Sequence, residues 1–293
     1  MVSRLWMQRI LGVIWFVDGL LQLKPKMFTS DFVNQVILPT AQGQPTWVGQ
    51  MVNWGGKLIL PQIGLWNLLF ALIQIFLGLA LMFNIKTKPT LQLSIVWSLL
   101  VWAFGEGFGQ LFSGQSLILT GAPGAALLYA VVAVAVWPDK EPSQSDWRPK
   151  SISFARYSLG LVWLAGAILQ FQSAYRTAQG LSQVIAVDWL VNIVGHHGQL
   201  VSMILGGLEF VLGLLILFRV RMGVMVWTSV LVSVLFWWVG QSFGQIFSPL
   251  GTDLNSGPLF VLLSISALPS WWTLKITRFP FRTLVHWRAQ AHR

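Results

Sequence analysis

Eight apolar runs, each long enough to cross a bilayer as a helix, dominate the hydropathy pattern of this chain. A membrane helix needs roughly 17–25 predominantly apolar residues. Stretches rich in polar residues, Gly and Pro separate the runs, and four runs fall in each half of the chain. The predicted spans are 5–23, 64–83, 91–112, 121–137, 154–173, 198–218, 223–247 and 258–274.

The two halves of the chain repeat one pattern. The sequence LGVIW at 11–15 recurs as LGLVW at 159–163, an offset of 148, and GEGFGQLF at 105–112 recurs as GQSFGQIF at 240–247, an offset of 135. Recurrence at such offsets is typical of a duplicated unit. We therefore predict an all-α, polytopic membrane protein made of two tandem four-helix repeats. Because each repeat has an even number of spans, both have the same orientation.

This organisation divides the chain into four parts. The predicted parts are a first repeat at 1–138, a cytoplasmic linker at 139–150, a second repeat at 151–275 and a basic cytoplasmic tail at 276–293.

Composition and charge support a membrane location. The chain is 55% hydrophobic and only 10% charged, whereas soluble domains carry roughly a quarter of charged residues. With a cytoplasmic N-terminus, fifteen of the 19 Lys and Arg residues lie on the cytoplasmic side. The positive-inside rule then predicts a multi-pass protein of the cell membrane with both termini in the cytoplasm.

The net charge of +10 does not indicate nucleic-acid binding. The basic residues lie at the ends of predicted helices, and the sequence contains no recognition module. We expect membrane lipid as the partner of the basic tail. The chain has no cysteine, which excludes thiolate ligands and dithiol exchange. The His196–His197 pair has no third ligand at a suitable spacing, so no metal site and no intrinsic cofactor are predicted.

Three acidic residues, Asp18, Glu106 and Glu209, lie inside predicted spans. An ionisable group in a span costs roughly 2.5–3.5 kcal/mol on insertion scales, and it marks a functional site by default. Asp18 and Glu106 are predicted at one depth, and two carboxyl groups that meet there would share a proton. Such a site could bind a cation, relay protons or hold a polar head group. The alternative is that each acid caps a helix or bonds to a neighbouring one.

The second repeat changes the position of the charge. Gly166 stands where the first repeat has Asp18, and Glu209 stands where it has Gln74. Glutamines recur in both repeats, as do tryptophans inside spans, and these side chains form either a structural network or a ligand site with a flat aromatic wall. The candidate catalytic residues are therefore Glu209, Glu106 and Asp18, and the candidate ligand-binding residues are Gln22, Gln110, Gln170, Gln245, Trp102 and Trp237.

Two further patterns concern packing. Gly105 and Gly109 have the small-xxx-small spacing that favours close helix approach, and the second repeat has the same spacing. A turn followed by Pro123 or Pro258 indicates the start of the fourth helix of each repeat.

The four-helix unit resembles the DoxX-like membrane family. Arg9 and Gly12 open the first helix, Gly19 lies near its end, and Phe28 follows just outside. The acidic residue and glycine on the second helix of that family resemble EFVLG at 209–213. The resemblance covers one repeat at a time, so the chain is similar to two such units fused.

This resemblance implies a function. Relatives in the family include the membrane subunit of a thiosulfate:quinone oxidoreductase, so the resemblance implies a membrane component of a quinone-linked redox system. Quinone would be its ligand, Glu209 and Glu106 would handle protons, and other subunits would supply electrons. Two alternatives are a proton- or cation-coupled carrier for a small solute and a scaffold without catalytic activity, so the sequence leaves open whether the chain is an enzyme.

Overall fold

The computed structural model describes residues 3–138, 149–177, 179–195 and 197–268. Within these ranges the fold is all-helical: it consists of α-helices and shorter helical turns, and it has no strands. The helices are α1 (Arg4–Leu21), α2 (Thr46–Ile59), α3 (Ile63–Met82), α4 (Thr87–Phe104), α5 (Ala125–Ala135), α6 (Pro149–Leu169), α7 (Asp188–Val194), α8 (Gly198–Leu217), α9 (Met222–Val239) and α10 (Ser256–Ser266).

Four helical stretches in the described residues are long and apolar enough to cross a membrane. They are Thr46–Met82, in which α2 continues through a short turn into α3, and Lys150–Leu169, Gly198–Leu217 and Met222–Val239. This confirms the all-helical class of the described residues, and the four stretches are candidate membrane spans. The count of eight spans stays a prediction.

The other predicted spans differ in length or charge. Helix α1 has 18 residues but carries Arg4, Arg9 and Asp18. Helices α5 and α10 have 11 residues each, which is about 16 Å at 1.5 Å per residue and about half of a hydrocarbon core. The predicted linker from 139 to 148 and the predicted tail lie outside the described residues.

Two predicted spans end earlier than their apolar runs. The run 91–112 was predicted as one helix, but α4 ends at Phe104, and the run 223–247 stops being α-helical after Val239. Beyond these ends the backbone has positive φ from Gly107 to Gln110 and from Ser242 to Gln245, a left-handed conformation that interrupts a right-handed helix. The small-xxx-small interpretation was therefore wrong, because Gly109 lies in a turn against the carbonyl of Pro123 rather than on a helix face.

The helices pack in two similar groups around a central pair. Helix α1 packs against α3 and α6 against α8, while α4 packs against α5 and α9 against α10. The short helices α5 and α10 contact each other, and each also contacts both α1 and α6. The two halves of the chain are therefore joined through α5 and α10.

Glycines set the closest helix contacts. A Cβ atom on Gly12 would lie 2.8 Å from the carbonyl oxygen of Gly78, and one on Gly78 would lie 2.6 Å from the backbone nitrogen of Phe16. Gly160 and Gly213 make the same close approach between α6 and α8. A side chain at these positions would push the helices apart.

Hydrogen bonds between helices recur in both halves. The indole N–H of Trp15 donates to the hydroxyl of Ser94, at 2.9 Å, and the indole N–H of Trp163 donates to Ser229, also at 2.9 Å. All four side chains are buried, where an unpaired N–H would be costly. The first pair joins α1 to α4, and the second joins α6 to α9.

Candidate functional site

A cavity of about 360 Å³ lies among α1, α2, α3, α4 and α5. Its walls are mainly apolar and aromatic, and they include carboxyl and amide side chains. The aromatic lining residues are Trp15, Phe32, Trp54, Trp66, Phe70, Trp97, Phe104 and Tyr129. The polar lining residues are Asp18, Gln22, Gln74, Glu106, Thr252 and Asp253.

Asp18 is one of the predicted site residues in this cavity. Its side chain is 1% exposed. One carboxyl oxygen accepts the N–H of Leu254 at 3.1 Å, and the other accepts the hydroxyl of Tyr129 in a short hydrogen bond. The Tyr129 ring in turn stacks on Trp15, with 3.8 Å between centroids. Asp18 therefore joins α1 to α5 and to the loop before α10.

Glu106 lies beyond the end of α4 and faces the start of α5. Its Oε1 accepts the N–H of Ala126 at 3.0 Å, so the carboxyl group satisfies a free donor in the first turn of α5. This is the capping role that the sequence left as an alternative. Its Oε2 is buried and has no hydrogen-bond partner among the residues that the structure describes. A Cβ atom on Gly124 would lie 2.2 Å from that oxygen, so glycine makes room for the carboxyl group.

Asp253 is the third acid in the cavity lining, and sequence reasoning missed it. The residue lies in the loop before α10 and comes from the second half of the chain. Its oxygens accept the hydroxyl of Thr252 at 2.7 Å and the N–H of Asn255 at 2.5 Å. Its charge repels those of Asp18 and Glu106. The offset of 135 pairs Asp253 with Ile118, and that exchange of an apolar residue for an acid was the available signal.

Two glutamines add unsatisfied polar groups to the cavity. Gln22 and Gln74 line it, and each side chain is 6% exposed. The amide oxygen of each is buried and has no partner among the described residues. The indole nitrogen of Trp97, another lining residue, is also buried and without a hydrogen-bond partner among the described residues. Buried polar groups are normally paired, so these three favour a polar ligand in the cavity.

Lys24 fixes the loop that carries Asp253. Its ammonium group donates to the carbonyl oxygens of Ile246, Ser248 and Gly251 at 2.8, 2.7 and 2.9 Å. Partial burial lowers the pKa of Lys24. This side chain from the first half therefore holds the second-half loop over the cavity.

The second half of the chain has no matching acidic cluster at the corresponding place. Gly166 replaces Asp18, Gln241 replaces Glu106 and Ile118 replaces Asp253. A Cβ atom on Gly166 would lie 2.3 Å from Cδ1 of Ile118 and 3.1 Å from Oε2 of Glu209. Ile118 therefore fills the space that the first half leaves open.

Glu209 lies in the second half, beside Gly166, and does not line the aromatic cavity. The residue is fully buried, and neither carboxyl oxygen has a hydrogen-bond partner among the described residues. The amide oxygen of Gln170 accepts the hydroxyl of Ser202 at 2.9 Å. Two of the three predicted acids, Asp18 and Glu106, therefore meet in one site, and Glu209 stands apart from them.

The remaining predicted ligand-binding residues are dispersed. Gln22 lines the cavity, and Gln110 lines a second, polar cavity next to it. The indole N–H groups of Trp102 and Trp237 donate to the carbonyl oxygens of Pro123 and Leu254, at 2.8 and 2.7 Å. They hold the loops before α5 and α10 and line neither cavity.

Gln245 also lines neither cavity and is exposed. Among the described residues, no group of three His, Cys, Asp or Glu side chains is arranged to hold a metal ion.

Comparisons with family models, with curated proteins and with solved structures find no match for this chain.

Proposed function

We propose that this chain is a membrane component of a quinone-linked redox system, and that the cavity holds the quinone ring. The observation that carries the proposal is that three carboxyl groups, from Asp18, Glu106 and Asp253, line one aromatic cavity. Aromatic walls suit a flat ring. Carboxyl groups suit a head group that gains or loses protons.

Exposed apolar residues around the cavity favour a ligand that arrives from the lipid. The cavity lining includes Trp54 and Leu58 on α2 and Leu100 on α4, whose exposed fractions are 59%, 51% and 47%. Such side chains suit a hydrocarbon environment. A lipid-soluble molecule would therefore enter between α2 and α4 without crossing water.

The proposed chemistry divides between this chain and a partner. A quinone that accepts two electrons also takes up two protons, and the carboxyl groups of the site would supply them. The chain has no cysteine, and we propose that a redox-active partner subunit delivers the electrons. The role of this chain is then to bind the quinone, orient it and pass protons.

We further propose that the chain crosses the cell membrane eight times, as two four-helix units with one orientation and with cytoplasmic termini. The recurring contacts of Trp15 and Trp163 support this arrangement, as does the distribution of Lys and Arg. The short α5 and α10 would complete their crossings together with the loops before them, since Leu117 and Leu119 in one such loop are buried.

A second candidate is a proton- or cation-coupled carrier, and one observation favours it. None of the residues lining the cavity is Lys or Arg, so three acids face an aromatic space without a basic partner. A small amphipathic cation would be attracted by both the carboxylates and the ring faces.

A binding experiment distinguishes the two candidates. The protein is placed in lipid nanodiscs, and quenching of its tryptophan fluorescence is measured with a short-chain quinone and, separately, with a lipophilic ammonium ion. Four tryptophans line the cavity, so a bound quinone should quench strongly. Glu106→Gln should weaken quinone binding several-fold, whereas the matched variant Glu209→Gln should bind as the wild type does.

The binding results distinguish the redox proposal from the carrier. Saturable quinone binding that depends on Glu106 supports the redox proposal. Saturable binding of the ammonium ion without quinone binding transfers the support to the carrier. Equal behaviour of Glu106→Gln and Glu209→Gln would remove the cavity from either function.

A further inference from the structure

A second cavity, of about 340 Å³, adjoins the first. Its lining is largely polar, and it is close to the outer loops of the proposed topology. The polar lining side chains outside the shared acids are Thr40, Gln110, Gln115, Ser116, Thr120 and Asn255. At about 30 Å³ per molecule, the space has room for about ten waters.

Three residues line both cavities: Glu106, Asp253 and Ala125. Two of the three are acids, and their carboxyl groups are close enough to repel each other when ionised. A molecule in the polar cavity and a ligand in the aromatic cavity would therefore contact the same pair of carboxyl groups from opposite sides.

We propose that the polar cavity is the path by which protons move between water and the ligand site, with Glu106 and Asp253 passing each proton across. The purpose of this path rests on the proposed function, because a quinone needs protons when it is reduced. The path itself does not need the ligand, since proton exchange along water and carboxyl groups occurs in the free protein as well.

The contacts of Glu106 suit this role. One oxygen is held by the N–H of Ala126, and Oε2 has no hydrogen-bond partner in the described part of the chain. The held oxygen fixes the group in place, and the other is available to take up and release a proton. Chains of Asp and Glu residues form proton relays in other membrane proteins.

The charged and titratable groups around the pair come from three elements. Asp18 on α1 and Tyr129 on α5 interact electrostatically with both Glu106 and Asp253. Lys24 lies near the base of the Asp253 loop, where it bonds to the carbonyl oxygen of Gly251. Asp18 lines only the aromatic cavity, whereas Glu106 and Asp253 line both cavities, so these two carboxyl groups are the ones that a proton can reach from either space.

The second half provides an internal contrast. Its counterparts of Glu106 and Asp253 are Gln241 and Ile118, which cannot titrate. The side chain of Ile118 packs against Gly166, beside Glu209. Glu209 should therefore be cut off from water, and the chain should have one proton path rather than two.

Hydrogen–deuterium exchange of single carboxyl groups tests the path without any ligand. The protein in nanodiscs is followed by infrared spectroscopy in mildly acidic buffer, at the carbonyl stretch of protonated carboxyl groups. The bands of Glu106 and Glu209 are assigned by their loss in Glu106→Gln and Glu209→Gln. After a change to D₂O, the Glu106 band should shift promptly, and the Glu209 band should shift more than about tenfold more slowly. A Glu106 band that appears or vanishes promptly when buffer pH changes also counts as exchange.

Two variants at one lining position test the route. Val184 lines the polar cavity and not the aromatic one. Val184→Trp should fill the space and slow exchange at Glu106 about tenfold, which corresponds to about 1.4 kcal/mol of added barrier. Val184→Ala, the matched control, should leave exchange as fast or faster.

The result that overturns the path is exchange at Glu106 as slow as at Glu209, or exchange at Glu106 that Val184→Trp leaves unchanged. The comparison of the two carboxyl groups in the wild type needs no filled cavity, so it holds even if Val184→Trp does not fold. Prompt exchange without quinone binding would contradict the proposed function and leave the path standing. Quinone binding without exchange at Glu106 would contradict the proton path and leave the proposed function standing.

Discussion

Glu106 and Glu209 are both acids in apolar surroundings, yet their environments differ. Glu106 lines two cavities, whereas Glu209 is fully buried among side chains. Their positions in the repeated pattern are not equivalent either, because Glu209 corresponds to Gln74 and Glu106 to Gln241. Access, rather than the presence of a carboxyl group, is what distinguishes the functional candidate.

A hydrophobic carbodiimide should detect this difference. Such reagents partition into lipid and modify protonated carboxyl groups that they can reach. We expect modification at Glu106, loss of that modification in Glu106→Gln, and no modification at Glu209, as measured by peptide mass spectrometry. The variant Ile118→Ala should open the space beside Gly166 and expose Glu209 to the reagent. Modification of Glu209 in the wild type would contradict this account.

Paired glycines mark the closest contact between two helices in each half, α1 with α3 and α6 with α8. Gly78 on α3 has the backbone of Phe16 within 2.6 Å of its missing Cβ, whereas Gly64 on the same helix has nothing within 4 Å. The same residue type therefore serves opposite purposes on one helix. At Gly78 it permits close packing, and at Gly64 it contributes flexibility alone.

Alanine at these two positions should give opposite results. Gly78→Ala should destabilise the protein by about 1–3 kcal/mol, because the added methyl group overpacks the contact between α1 and α3. Gly64→Ala, the matched control, should be neutral or stabilising by up to about 1 kcal/mol. Thermal unfolding in mild detergent measures both. Equal midpoints for the two variants would show that the close contact is absent.

The apolar pattern predicted which segments are helical better than where the helices end. Hydropathy placed α3, α8 and α9 because their runs are long and uninterrupted. The end of α4 at Phe104 was not predictable in this way, since Phe108, Leu111 and Phe112 continue the apolar run after the backbone has turned. Beyond that end the backbone turns through consecutive residues with positive φ, from Gly107 to Gln110, which hydropathy does not reveal.

A site residue was predictable where its immediate sequence neighbours made it unusual, and not where its role depends on distant parts of the chain. Asp18 and Glu106 were found because an acid in an apolar run is unusual. Asp253 was missed because it lies in a polar loop, and its approach to Asp18 depends on how the two halves pack. Trp102 and Trp237 were selected for their repeated positions, but repetition there reflects a shared hydrogen bond to a loop carbonyl.

At the scale of the whole molecule, the two halves exchange loops across their interface. The loop with Asp253 covers the first-half cavity, and the loop with Ile118 covers the corresponding place in the second half. The aromatic cavity therefore contains residues from both halves. A change that loosens one loop should alter the site without touching the cavity walls.

Lys24 gives a direct test of this coupling. Lys24→Met removes three hydrogen bonds to the loop that carries Asp253, and we expect a loss of about 2 kcal/mol of stability. The matched control is Lys26→Met, which removes a surface ion pair of 3.3 Å with Asp31 and should change stability by less than about 1 kcal/mol. Chemical unfolding in detergent measures the difference, and equal losses would contradict the coupling.

Photolabelling with an azido-quinone, followed by peptide mapping, shows directly whether a quinone occupies the aromatic cavity. We expect label on residues that line the aromatic cavity, with Trp54 and Leu58 on α2 and Leu100 on α4 as the main positions. An excess of unlabelled quinone should suppress this label, and Glu106→Gln should reduce it. Label on α8 and α9, or label spread evenly over the lipid-facing helices and not suppressed by competitor, would contradict a quinone site in this cavity.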